Sequence, residues 1–256
     1  MYLSSVSERI APVLKQLIEP PEVEQHAARV THDCSFPEAL AIVDATFQPT
    51  TKPQASFQSA RSYFSYEHFD YGFKYQVLHA RDERAIHVSG LHAGAVHDLE
   101  ILKDSIEEVK QIIRDHKFQW AILADKGCTG ANRLDVPFII PAKLNAIGRD
   151  EENEAISDEW VICKNFYGRL KIRYALARDM FRGSWDLHKT RFENMIAQTN
   201  LNFQSQPLRR GENSDAEWLR KLVETQMEEG KMRWCMKTFN KMRSNERRKE
   251  RELGNA

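Results

Sequence analysis

The chain has 256 residues, with 37 Lys and Arg balancing 37 Asp and Glu. That length can bury one large core, and the zero net charge excludes any argument about partners from overall charge. Four cysteines (Cys34, Cys128, Cys163 and Cys235) lack CxxC or Cys/His spacing, which argues against a zinc site or a disulfide framework and fits a reducing, intracellular compartment. The first residues do not form a signal peptide, and no apolar run approaches the roughly 20 residues of a membrane-spanning helix.

Residues 4–18 are expected to form an amphipathic helix, with Val6, Ile10, Val13, Leu14 and Leu17 at helical spacing, ended by Pro20 and Pro21. The run "PEALAIVDATFQPTTKP" predicts a buried strand that ends at Asp44 and feeds a Thr- and Pro-rich loop. Two further strands are expected at 71–80 and 85–92. Residues 99–115 repeat apolar positions as a helix does, and "FQWAILADKG" (118–127) predicts a buried strand breaking at Asp125. An acidic stretch with six carboxylates between 150 and 159 precedes a helix over 158–174, for which Ser157 is the expected cap. A helix over 189–203 follows, then a hinge, then helices over 215–229 and 231–251. The last carries nine basic residues against two Glu: a nucleic-acid contact, or a solvated helix. This order predicts a mixed α/β sheet with a crossover helix.

Asp44 and Asp125 are the candidate site. Singly, an Asp after a strand is as readily a turn or cap residue. Together, on adjacent strands, the two carboxylates would meet at one sheet edge and repel unless a cation lies between them. Hard oxygen ligands there suit Mg²⁺ or Mn²⁺, and such ions can promote in-line displacement at a phosphodiester. The aromatic stretch "SYFSYEHFDYGFKYQ" (62–76) could stack bases, but aromatics in strands are more commonly core. Arg169, Lys171 and Arg173 of "GRLKIRY" are possible phosphate contacts, or else a solvated helix face.

The blocks "AIVDATFQPTTKP", "YGFKYQVLHARDERAIHVSGLHAGAVHDLEIL", "AILADKGCTG" and "AISDEWVICKNFYGRLKIRY" resemble, in order and spacing, those of the Harbinger-type DDE transposases and transposase-derived endonucleases. The resemblance spans about residues 38–208. It implies an RNase H-like fold, metal-dependent cleavage or strand transfer of DNA in the nucleus, and Asp44 and Asp125 as the first two catalytic acids. His97–Asp98 matches a supporting element of the family. The family's third acid falls at position 164, which is Lys here. At about 100° per residue on one regular helix, neither Asp158 nor Glu159 shares the face of Lys164. Metal affinity and cleavage are therefore expected to be reduced, unless Lys164 turns to solvent and the acid is supplied otherwise. The alternative is an inactive DNA- or protein-binding module descended from a transposase. Cys128, where the family has an aromatic, implies only local packing.

The expected organisation is an N-terminal helix and linker (1–37), an endonuclease domain (38–208) and a helical, basic C-terminal extension (209–256). The family's helix-turn-helix module does not fit ahead of residue 38, which suggests a separate DNA-binding partner protein. A small-molecule hydrolase is disfavoured, because a nucleophile elbow and Ser/His/Asp spacing are both missing.

Overall fold

The computed structural model describes residues 2–20, 35–36, 38–54, 56–114, 120–141 and 150–205. The expected hinge and the two C-terminal helices lie outside the described residues, as does the linker after residue 20. Helix α1 (Tyr2–Lys15) covers most of the expected helix and packs on the last described helix, but it ends before Leu17, and Ile10 and Val13 are exposed. Strand β1 (Ala39–Pro49) is followed by a short helix, α2 (Phe57–Ser62), and strand β2 (Phe64–Ser65). Then come β3 (Asp70–Ala80), β4 (Ala85–Val88) and β5 (His92–Ala93). Helices α3 (Asp98–Asp104) and α4 (Ile106–Arg114) lead to β6 (Ala121–Ala124) and β7 (Phe138–Ile139). The chain continues in α5 (Asp150–Glu159), α6 (Val161–Arg173), α7 (Ala175–Arg178) and α8 (His188–Ser205).

The seven-stranded sheet has the order β2-β3-β1-β6-β7, with β4 and β5 also paired to β3. β1 runs antiparallel to β3 and parallel to β6, and β6 is parallel to β7. The crossover from β4 and β5 through α3 and α4 to β6 supplies the parallel pairing, since a tight turn cannot. Both faces of the sheet are covered. Ile42, Tyr75 and Leu123 pack with Phe166, Leu170, Phe192 and Ile196 of α6 and α8. Val43, Leu78 and Ile122 pack with Leu102 and Val109 of α3 and α4. Burial on both sides explains why the central strands read as unbroken apolar runs. This is the RNase H-like α/β architecture expected from the sequence.

Three expectations need correction. β1 does not end at Asp44 but runs on to Pro49, because residues 45–49 keep their pairing with β3. The helix over 99–115 is two helices, with a break at Ser105, whose hydroxyl donates to the Ile101 carbonyl (3.2 Å). Ser157 is not a cap: it lies inside a helix that starts at Asp150 and is interrupted only at Trp160. The pair β4–α8 is sealed by a side chain. The Ala85 N–H donates to Asn200 Oδ1 (2.9 Å), and Asn200 Nδ2 donates to the carbonyls of Ala85 and Leu17 (2.7 Å each).

Candidate active site

Val43 and Ala124 are the last register partners of the parallel β1–β6 pair, so Asp44 and Asp125 follow at matching positions. Side chains alternate along a strand; Asp44 and Asp125 stand two residues beyond Ile42 and Leu123, on the face that α6 covers. Both carboxylates line one cleft of about 410 Å³. Tyr167 of α6 donates to the Asp44 carbonyl (2.9 Å), which fixes α6 against β1. Lys164, one turn earlier on α6, lines the same cleft. The three positions singled out in the sequence therefore face a common space.

The electrostatics follow from that convergence. Burial, and next the charge of Asp125, push the Asp44 carboxyl up from 3.8 to about 7. Burial also raises Asp125, which caps the turn at Lys126–Cys128 by accepting its N–H. Lys164 opposes both shifts at a distance. Among the described residues it forms no ion pair or hydrogen bond with either acid, so it faces the aspartates without being locked to them.

Two residues complete the acidic end: Asp98, expected from the resemblance as a supporting residue, and Lys74, which sequence reasoning missed. Asp98, the first residue of α3, lines the cleft and accepts from Lys74 Nζ at 3.0 Å. A Cβ on Gly127 would come 2.7 Å from Asp98 Oδ2, so the glycine after Asp125 leaves room for this carboxylate. Lys74, 8 % exposed in a strand of aromatics, was the available signal: lysine is seldom buried without a partner.

The basic residues of α6 separate. Lys171 lines the cleft, and burial lowers its pKa. Arg169 instead lies over the Phe203 ring (4.7 Å), and Arg173 is exposed in the last turn; neither lines the cleft. Glu159 is ion-paired with the buried guanidinium of Arg81, whose Nε also donates to the Ala39 carbonyl (3.1 Å). Asp158 lines the cleft, contrary to its place on an ideal helix, because Trp160 (ψ −11°) departs from helical ψ near −42° and bends the chain there. Cys128 is buried, and its thiol is pushed up to about 12, in keeping with a packing role.

The donor set fits a divalent ion in part. Asp44 and Asp125 are hard ligands that destabilise each other's charge, and Mg²⁺ binds through one or two carboxylates plus water and phosphate oxygens. Among the described residues no group of three or more His, Cys, Asp or Glu is gathered closely enough to hold a metal. The two aspartates would hold such an ion; it would supply Lewis acidity and an activated water.

The domain is thus a mixed α/β sheet in which two aspartates follow the last partners of the parallel β1–β6 pairing and line one cleft. The family profile described as DDE superfamily endonuclease matches residues 43–199, more than half of the chain, and the chain belongs to that family. No curated protein and no solved structure matches it.

Proposed function

We propose that this chain is a Harbinger-type, transposase-derived endonuclease domain acting on DNA phosphodiesters, with metal-dependent hydrolysis and strand transfer weakened by Lys164. The observation that carries the reading is the shared cleft: Asp44 and Asp125 at matching strand positions, with an ammonium at the position of the third acid. Lys164 offsets the repulsion between the aspartates, as a metal would, but offers no ligand oxygen. Tyr167 holds the Asp44 backbone in place, and Lys171 is the cation placed to meet a phosphate. The domain would act in the nucleus.

A second reading, an inactive DNA- or protein-binding module, is favoured by the lack of a three-ligand group among the described residues. Supercoiled-plasmid nicking under Mg²⁺ and Mn²⁺ titration separates the two. The native chain is expected to nick weakly or not at all, and Lys164→Glu to gain metal-dependent nicking that Asp44→Asn removes. Nicking by the native chain as fast as by Lys164→Glu would show that Lys164 does not impair the site. A folded Lys164→Glu without any nicking would favour the binding module.

A further inference from the structure

Phe47 stands three residues beyond Asp44 on β1, roughly 10 Å along the strand, so the cleft has a ring-lined end beside the acids. Phe47 of β1 and His68, in the turn between β2 and β3, both line it. Their rings are stacked, with centroids 4.4 Å apart and planes 20° apart. Phe47 is the inner ring, 9 % exposed, whereas the His68 side chain keeps 29 % of its surface open. His68 is therefore the ring that a ligand would meet.

The turn holding His68 is constrained. The His68 N–H donates to Ser65 Oγ (3.3 Å), and the next residue, Phe69, has φ 51°, a left-handed conformation that is rare for a bulky side chain and recurs at functional sites. Burial, with the nearby charges of Lys171 and Lys74, lowers the imidazole to about 4, so the ring is neutral near pH 7 and offers a flat, uncharged face. Lys171 flanks this end as a cation with no ion pair among the described residues. Glu67 lies on its other side, 3.9 Å from His68 Nε2, where it would repel a phosphate. The cleft's volume of about 410 Å³ lies in the range of small-ligand pockets, roughly 300–1,000 Å³.

We propose that this end is a subsite for one unstacked nucleotide, its base lying on the His68–Phe47 ring pair and its phosphate against Lys171. The inference rests on the DNA-acting reading above and adds the form of DNA preferred: a strand with a base out of the helix. Such a site tolerates any base, since each has a π-face.

The test is fluorescence anisotropy of the full chain in EDTA, with a labelled DNA duplex carrying one extrahelical thymine and the same duplex fully paired. The extrahelical duplex should bind roughly tenfold more tightly, as expected for one base stacked on a ring. His68→Ala should abolish the preference and His68→Trp should keep it. Lys171→Met should weaken both duplexes and lower the salt dependence by about one phosphate contact. Tyr66→Ala, at a ring 62 % exposed outside the cleft, should change nothing. Equal affinity for the two duplexes, or a preference that survives His68→Ala, would overturn the subsite and leave DNA binding standing. Binding to neither duplex would overturn the DNA-acting reading itself.

Discussion

Asp44→Asn keeps the shape of the side chain and the oxygen that accepts from the Ala45 N–H (2.9 Å), but removes a charge the fold disfavours. The unfolded carboxyl titrates near 3.8 and the folded one near 7. Between those values the unfolded chain binds fewer protons than the folded one, so native stability falls as pH rises and levels off above about 7. A shift of about three pKa units corresponds to about 4 kcal/mol at most, and because Asp44 as a whole is only half-buried, solvent screening reduces that to about 2–3 kcal/mol. Asparagine does not titrate. The variant should therefore match the native chain below pH 3.8, gain stability across the interval up to about pH 7, and keep a constant advantage above it. Urea unfolding at a series of pH values measures this directly. An advantage independent of pH, or an asparagine variant less stable than the native chain at pH 8, would refute the account of Asp44 as a strained buried carboxylate.

Arg81→Met removes the buried guanidinium paired with Glu159 and frees the carbonyls of Ala39 and Phe36, so it should cost about 3–5 kcal/mol in denaturant unfolding. Asn200→Leu strands the amide and carbonyl of Ala85 together with the Leu17 carbonyl. At about 1–3 kcal/mol for each of the two buried Ala85 groups left unsatisfied, the loss should be about 2–6 kcal/mol, with faster amide exchange at Ala85 by NMR. A variant as stable as the native chain would mean that water replaces the asparagine there.

Part of the acidic end of the cleft was legible from local patterns. An acid directly after a buried apolar run, twice, marks two strand positions that a parallel pairing can bring together, and the register at Val43 and Ala124 does so. Position 164 was singled out only by the resemblance, through its place four residues before Gly168, and the helix Val161–Arg173 brings Lys164 to the cleft. The extent of β1 was not readable: residues beyond Asp44 stay in the sheet only because β3 lies alongside them, and that pairing is non-local. Among the basic residues of α6, spacing could not tell Lys171, in the cleft, from Arg169, drawn to a ring 34 positions later in the chain.

By itself the amino-acid sequence determined the main strands and helices, the apolar runs that must be buried, and the two acids that follow such runs, since each depends on neighbours along the chain. Only the tertiary structure decided that Asp98 and Lys74 meet beside Gly127, that a bend at Trp160 sends Asp158 to the cleft and Glu159 to Arg81, and that His68 lies on Phe47. Each of these joins residues from different elements, and their approach is set by sheet register and helix docking, which no spacing along the chain encodes.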